Sequence, residues 1–270
     1  MRKLILPISV VAIGAFSLLP FLWFVLTSWK SPMETTAIPP QVIPSFHWGF
    51  YRSALNEYGL LRYIWNSAIV AAATTVISIA IASLGAYALA RFHFPWSRYY
   101  LMLLLAVSMF PQIAIAGPVW RILSGFGWLN SYHGIVAAYI SLALPFSMWV
   151  LTTFFKELPY EIEEAALVDG CTRLQALRKV VLPLAAPGLF TAAILVFIHA
   201  WNEFFFALII LTDPALQTLP VGIALFPGEY TMPWGEISAA STIATLPLIV
   251  LTLLFQRRIV QGLSAGAVKG

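Results

Sequence analysis

The stretch that most restricts how this chain can fold is residues 64–90, which contains no charged side chain. An uncharged apolar segment of this length is long enough to cross the hydrocarbon core of a bilayer as a helix. Small residues recur through it, which favours close packing against neighbouring helices inside a membrane bundle. The whole chain is 60% hydrophobic and only 10% charged, unlike soluble globular domains. It is therefore predicted to be an all-α, polytopic membrane protein.

Other apolar stretches also have the length and composition of membrane spans. The first follows Arg2 and Lys3; it is longer than the apolar region of a signal peptide, and no small-residue cleavage pattern follows it. Prolines interrupt the third and fourth spans, which predicts kinks. The six spans expected within one transmembrane domain, 1–270, are residues 4–29, 64–90, 99–120, 134–155, 188–211 and 237–255, with a polar tail at 256–270.

The distribution of basic residues predicts the orientation of these spans. If both ends and the even-numbered connectors are cytoplasmic, eleven of the fifteen Lys and Arg residues lie on that side and four lie outside. Cytoplasmic loops of membrane proteins carry such an excess. Both termini, and residues 156–187 between the fourth and fifth spans, are therefore expected in the cytoplasm. The dispersal of the basic residues argues against nucleic acid as a partner.

Residues 156–187 contain the longest polar, patterned segment between two apolar runs. A cluster of glutamates opens a helical pattern that ends at Gly170, where the C-terminus of a helix favours a residue that accepts positive φ. Thr172 is placed to cap a second helix. Leu182 and Pro183 should end that second helix, because a proline disfavours helical conformation at the residue before it. The segment is predicted to be a helical hairpin outside the lipid.

The spacing within this hairpin carries a family resemblance. Glu164-Ala165-Ala166 is followed by three residues and Gly170, then by nine residues and Val180, then by one residue and Leu182-Pro183. This pattern resembles the EAA loop of permease subunits in ATP-binding cassette importers, with Val180 where the family usually has isoleucine. The resemblance implies a cytoplasmic coupling helix that docks on an ATP-binding subunit. The residues implied in coupling are Glu164, Ala165, Ala166, Asp169, Gly170, Leu182 and Pro183.

The end of the chain carries a second resemblance. The sequence QRRIVQGLSAGAVKG is similar to the ending of maltose-type permease subunits of carbohydrate importers, where the tail reaches between the ATP-binding subunits. Recurring glycines favour an extended, slender tail, and a frayed terminus is the alternative. The residues implied in that contact are Gly262, Gly266 and Lys269.

A third resemblance to the same importers lies in AWNEFF at 200–205 and LQTLPVGIALF at 216–226. Glu203 lies well inside an apolar run, where a charge facing lipid costs about 3 kcal/mol. Planar polar groups and aromatic faces are suited to binding sugars. Trp201, Asn202 and Glu203 are therefore candidates for lining a translocation pathway, beside His199. The alternative is that Glu203 pairs with a neighbouring helix or with a partner permease.

Residues 212–236 form a proline-rich connector that is expected outside the membrane. It resembles the loop of maltose-type systems that projects toward the substrate-binding protein. The candidates for that contact are Glu229, Tyr230 and Trp234. A solvated connector rich in turns is the alternative.

Together these features predict a transport protein that catalyses no reaction itself. It contains no GxxxxGK[ST] phosphate-binding loop, so ATP and Mg²⁺ are expected on partner subunits. No catalytic residue, cofactor or metal site is expected, because one cysteine and four scattered histidines do not make a metal-binding pattern. The resemblance implies an inner cell membrane location and a carbohydrate substrate, with a di- or oligosaccharide such as maltose or trehalose favoured. The implied partners are a second homologous permease, two ATP-binding subunits, an extracytoplasmic sugar-binding protein or lipoprotein, and membrane lipid.

An ion-coupled secondary transporter of a small polar solute is the alternative function. Such transporters usually hold the ion with intramembrane carboxylates or broken helices, and many contain an internal repeat. Glu203 alone gives this alternative little support. A membrane metalloprotease would need an HExxH motif, and none occurs in the sequence.

Overall fold

The computed structural model describes residues 2–92, 95–227 and 232–265, and all regular elements within these ranges are helical. Side chains are described except at 2–6, 98 and 257–265. The first seven helices are α1 (Arg2–Ser28), α2 (Pro32–Thr35), α3 (Gly49–Asn56), α4 (Leu60–Arg91), α5 (Ser97–Ser108), α6 (Gln112–Gly125) and α7 (Tyr132–Glu157). The others are α8 (Tyr160–Val168), α9 (Arg173–Ala176), a π-helical turn (Leu177–Val181), α10 (Leu182–Leu184), α11 (Ala186–Asn202), α12 (Phe205–Ile210), α13 (Leu219–Ala224) and α14 (Trp234–Ala265).

Four of these helices, α1, α4, α7 and α14, are each long and apolar enough to cross a membrane. Two pairs of segments meet the same criteria only when they are joined across a bend. One pair is α5 with α6, at 92°, and the other is Arg173–Leu184 with α11, at 80°. By length and composition, the part of the chain that is described therefore offers up to six spans.

The third expected span, residues 99–120, is broken rather than kinked. α5 and α6 meet at the 92° bend around Pro111. Proline lacks the amide hydrogen that a helix needs and disfavours helical conformation at the preceding residue, Phe110, so one helix cannot continue through this point. The break places Gln112 at the start of α6, which runs on to Gly125 through part of the expected outer loop.

The fifth expected span, residues 188–211, is also divided. α11 and α12 are separated by Glu203 and Phe204, and Glu203 has an extended backbone with φ −68° and ψ 126°. Its carboxylate accepts hydrogen bonds from the backbone amides of Phe206, at 2.9 Å, and Ala207, at 3.2 Å. These amides belong to the first turn of α12 and have no partner within that helix. The side chain of Glu203 therefore caps α12, as shorter polar side chains do elsewhere.

The sixth span runs past its expected end. α14 ends at Ala265 rather than near residue 255. The prediction of an extended tail is therefore wrong for residues 256–265. Apolar residues continue at helical spacing there, and one glycine in a helix costs only about 1 kcal/mol. Gly262 lies in the last turn of α14, whereas Gly266 and Lys269 lie outside the described residues.

The chain divides into two compact units. One comprises the residues up to Ile64 together with Leu219–Val250, and the other comprises Trp65–Thr218 together with the residues from Leu251 onward. In the first unit, the ring of Tyr63 lies so close to Gly222 that a side chain there would collide with it. Close approach of an aromatic ring explains why glycine suits this position.

The second unit has a hydrophobic core around the end of α4. Buried residues of α4, α7, the π-helical turn and α11 form this cluster. Ala82 and Ala86 of α4 are fully buried, as are Leu151 and Phe155 of α7. Small side chains on α4 let the large side chains of α7 approach its backbone. This core holds the π-helical turn, through Leu177 and Val181, and Leu182 of α10 in place.

Candidate functional site

α8 and α9 form the predicted hairpin. α8 is followed by Asp169 and Gly170, and Gly170 has φ +86°. The amide of Cys171 donates to the carbonyl of Ala166 at 3.0 Å. This bond is typical of a helix that ends in a left-handed residue. Thr172 Oγ1 accepts from the Gln175 amide at 3.3 Å, and Gln175 Oε1 accepts from the Thr172 amide at 2.8 Å. These reciprocal bonds form a capping box, and the local predictions for both residues are confirmed.

The predicted end of the second helix is wrong. Leu182 and Pro183 do not stop it, because the π-helical turn and α10 continue to Leu184. Pro183 lies in α10, directly after the π-helical turn Leu177–Val181. The chain bends instead at Ala185, where the segment Arg173–Leu184 meets α11.

The residues implied in coupling differ in exposure. Ala166 is buried and Leu182 is half-buried, whereas the others are exposed: Glu164, Ala165, Asp169, Gly170 and Pro183. The inner edge of α8 is thus held against the rest of the second unit by Ala166 and by Glu163, which is 3% exposed. Its outer face exposes Glu164 and Ala165.

A polar cluster that the sequence did not predict, buried except at Tyr160, attaches α8 to the end of α4. Tyr87, Arg91, Tyr160 and Glu163 form this Arg91–Glu163 cluster. Arg91 Nε lies 3.0 Å from Glu163 Oε2, as an ion pair whose N–H is not aligned as a hydrogen bond, and the two side chains are 1% and 4% exposed. Tyr87 Oη donates to Glu163 Oε1 at 2.5 Å. Buried charges need partners of this kind to offset the loss of water.

Tyr160, the first residue of α8, also binds the end of α4. Its Oη donates to the carbonyls of Ala90, at 2.8 Å, and Arg91, at 3.2 Å. Carbonyls in the last turn of a helix have no partner within that helix, so the first residue of α8 caps the C-terminus of α4. The Arg91 guanidinium also lies 4.4 Å from the centroid of the Tyr160 ring and donates from Nη2 to the carbonyl of Leu158 at 3.1 Å.

A cavity of about 530 Å³ lies where the third and fifth spans are broken. Its volume is within the range of small-molecule sites. Gln112 of α6 meets His199 and Asn202 of α11 at this cavity, and these three side chains supply polar groups. The lining residues are Gln112, Leu195, Ile198, His199, Asn202, Glu203, Phe204 and Phe205. The sequence did not single out Gln112, because the break at Pro111 is what brings it to the site.

The three pathway candidates have different surroundings. Asn202 is exposed, lines the cavity and donates from Nδ2 to the carbonyl of Ile198 at 2.9 Å. Trp201 is 4% exposed, and its ring is stacked on that of Phe197 with centroids 5.8 Å apart. Glu203 is 6% exposed and contributes to the cavity wall, but its carboxylate is bound to the amides of α12. Asn202 is therefore the candidate best placed to contact a solute.

The candidates for contact with a binding protein are only partly described. Glu229 and Tyr230 lie outside the described residues, whereas Trp234 begins α14 and is 57% exposed. In the same unit, Tyr58 Oη donates to the carbonyl of Pro227 at 3.2 Å. Burial, followed by the nearby carboxylates of Glu236 and Glu57, raises the pKa of Tyr58 above its usual value, so this phenol remains a donor at neutral pH.

Comparison with known proteins identifies the family. Residues 78–265 match the family described as "Binding-protein-dependent transport system inner membrane component". The trehalose/maltose transport system permease protein MalG of Thermococcus litoralis is 38% identical over 280 residues, which cover 100% of this chain and 98% of that protein. The sulfoquinovosyl glycerol transport system permease protein SmoH of Agrobacterium fabrum is 42% identical over 254 residues, which cover 94% of this chain and 89% of that protein.

A solved structure supports the fold. It is the crystal structure of a bacterial ABC transporter involved in the import of the acidic polysaccharide alginate, with a TM-score of 0.80 and 22% identity over 94% of this chain and 96% of that chain. The predicted fold class, an all-α polytopic membrane protein, is confirmed by this likeness and by the described helices. From the family match and the two relatives similar along nearly their whole length, we conclude that this chain belongs to the family of binding-protein-dependent transport system inner membrane components.

Proposed function

We propose that this chain is the transmembrane subunit of an ATP-driven importer and forms, with a second homologous permease, the translocation pathway for a carbohydrate. The observation that carries this proposal is its similarity along the whole chain to the T. litoralis permease, which is named for trehalose and maltose. The A. fabrum relative is named for sulfoquinovosyl glycerol, so carbohydrate is the class that the two names share. A di- or oligosaccharide such as trehalose or maltose is the favoured substrate.

ATP hydrolysis belongs to partner subunits in this proposal, which hold ATP and Mg²⁺, while this chain binds no cofactor. One of two ATP-binding subunits docks on the exposed face of α8, around Glu164, on the cytoplasmic side that the basic residues predict. The exposure of this face, and the attachment of the opposite edge of α8 to α4, support this role. The tail, with Gly262, Gly266 and Lys269, is proposed to reach the same subunits.

The carbohydrate arrives from an extracytoplasmic binding protein, and Glu229, Tyr230 and Trp234 remain the proposed contacts for it. Within the membrane, the cavity lined by Gln112, His199 and Asn202 is the proposed part of the pathway. Amide and imidazole groups can exchange hydrogen bonds with sugar hydroxyls. Phe204 and Phe205 in the same wall supply apolar surface for a sugar face.

The proposal is tested by purifying the complex through a tag on this chain and identifying the chains that co-purify. The complex is then placed in vesicles with its binding protein, and ATP hydrolysis and uptake are measured with trehalose, maltose and an unrelated polar solute. We expect an ATP-binding subunit in the complex and a sugar that stimulates both rates. Uptake that follows an ion gradient and needs no ATP would instead establish a secondary transporter.

Asn202→Ala tests the cavity within the same assay. It should lower sugar uptake about tenfold while the co-purifying subunits stay the same, because a hydrogen bond to the solute is lost. Asn56→Ala is the matched control, since Asn56 is also exposed but lies on α3 and is not among the residues that line the cavity. Equal uptake by both variants would remove Asn202 from the pathway.

A further inference from the structure

The end of α4 and the start of α8 are joined more extensively than the chain connection requires. α8 follows α7 after Leu158 and Pro159, so the backbone alone ties it to α7. The Arg91–Glu163 cluster adds a tie to α4, through one ion pair and hydrogen bonds from Tyr87 and Tyr160. The Leu158 carbonyl, in the connection itself, accepts from Arg91. α8 is therefore held to two long helices rather than one.

The charges in this cluster also match the ends of the helices that carry them. Glu163 lies in the first turn of α8, where the helix dipole is positive, and Arg91 is the last residue of α4, where it is negative. Each side chain is thus stabilised by its own helix as well as by the other side chain. Because the pair is buried, neither water nor salt weakens the attraction as they would at the surface.

We propose that the Arg91–Glu163 cluster makes the end of α4 and α8 move as one body, so that a displacement imposed on the outer face of α8 is carried directly into α4. Arg91 and Glu163 are then positioning residues for coupling and make no contact with the ATP-binding subunit or the sugar. This inference rests on the proposed function, because it assumes that a partner displaces α8. It adds a route through α4, which follows from the contacts of the cluster and not from the spacing of the hairpin residues or from the relatives' names.

The geometry explains why such a tie matters for transport. Glu164 and Ala165 on the outer face are free to contact a partner, while Glu163 and Ala166 face inward. Without the inward tie, α8 can shift relative to α4 when its outer face is pushed, and the displacement does not reach α4. With the tie, the same shift must also move Arg91 and the last turn of α4. ATP hydrolysis and sugar movement are then linked.

The test uses the purified, complete complex in vesicles and measures three quantities: the ATP-binding subunits retained, the rate of ATP hydrolysis, and the sugar taken up per ATP. Glu163→Gln keeps the shape of the side chain but removes its charge. We expect it to retain the ATP-binding subunits and to lower uptake per ATP about tenfold. Tyr87→Phe removes one hydrogen bond and should lower the same ratio about threefold. Glu161→Gln, in the same turn but exposed, is the matched control and should leave the ratio unchanged.

A reciprocal exchange separates coupling from mere stability. Combining Arg91→Glu with Glu163→Arg restores an ion pair in which the positive and negative charges have exchanged positions. We expect this double variant to recover part of the uptake per ATP that either single change loses. A Glu163→Gln complex that contains its ATP-binding subunits and shows wild-type uptake per ATP would overturn the inference alone. If Glu163→Gln does not assemble, Tyr87→Phe with a wild-type ratio would overturn it instead. A wild-type complex without any ATP-binding subunit would overturn both the inference and the proposed function.

Discussion

Two buried carboxylates in the described part of the chain, Glu163 and Glu203, are stabilised in opposite ways. Glu163 binds side chains of another helix, Arg91 and Tyr87, the latter 76 positions away in sequence. The Glu203 carboxylate accepts from backbone amides a few residues further along its own chain, and the Glu203 carbonyl accepts from Tyr139 Oη of α7 at 3.4 Å. The first carboxylate therefore joins two helices, whereas the second ends one helix and begins the next. A buried acid in a membrane protein can be structural in either sense before it has any role with a solute.

The largest effect predicted by this comparison is that of Arg91→Ala. Removing one partner of a buried ion pair leaves an uncompensated charge, which costs about 3–5 kcal/mol. We expect a marked fall in the melting temperature of the purified protein. Arg52→Ala, at an exposed arginine on α3, provides the control and should change it little. Equal, small shifts for the two variants would show that Glu163 does not depend on Arg91.

Glu203→Ala should have a smaller and more local effect. It leaves two buried amides in the first turn of α12 without acceptors, at a cost of about 2 kcal/mol. Hydrogen exchange of α12 amides should accelerate, while that of α8 amides stays unchanged. Global destabilisation as large as that of Arg91→Ala would contradict the distinction between the two carboxylates.

An interaction could be predicted from the sequence when its partners lie close together along the chain. The turn at Gly170 and the cap at Thr172 were predictable because their partners lie within a few residues. The Arg91–Glu163 cluster was not, because its helices are distant in sequence, and because Arg91 resembles any basic residue at the end of an apolar helix. Apolar periodicity also misleads in α8, since Val168 is 87% exposed while the charged Glu163 is buried.

The breaks in the third and fifth spans show a different limit. Pro111 predicted a kink, but hydropathy alone cannot distinguish a kink from a bend of 92°. Glu203 was recognised as unusual, yet its use as a helix cap depends on a backbone that turns extended at that residue. Charge and hydropathy predict where apolar spans lie, whereas the path of the chain within a span depends on local backbone geometry that hydropathy does not encode.

Gly170→Val tests the other end of α8. The position has φ +86° and open space around it, so the expected cost of about 1–2 kcal/mol comes from backbone strain rather than collision. Uptake per ATP should fall less than in Glu163→Gln, because the Arg91–Glu163 cluster still holds the start of α8. Gly170→Asn, which tolerates positive φ, should retain most of the coupling. A larger loss than in Glu163→Gln would place the main constraint on α8 at its C-terminal turn.

The smallest effect is expected at Glu34, which accepts from backbone amides as Glu203 does, but at the surface. Hydrogen bonds from the Ser31 amide, at 2.7 Å, and from Ser45 Oγ, at 2.9 Å, hold the pKa of this carboxyl below its usual value. A lowered folded pKa means that the contribution is present at neutral pH and is lost as the pH falls through that value. The protection of α2 amides, relative to their intrinsic exchange at the same pH, should therefore fall only under acid conditions, and Glu34→Gln should abolish this pH dependence.

The docking of an ATP-binding subunit on α8 is tested most directly by placing a photo-cross-linking residue at Glu164, on the outer face of α8, and at Trp234 for comparison. The captured chains are then identified in intact cells. We expect an ATP-binding subunit at position 164 and an extracytoplasmic binding protein at position 234. Capture of the binding protein at position 164 would reverse the orientation of the chain, and capture of lipid alone there would show that α8 is not the docking surface.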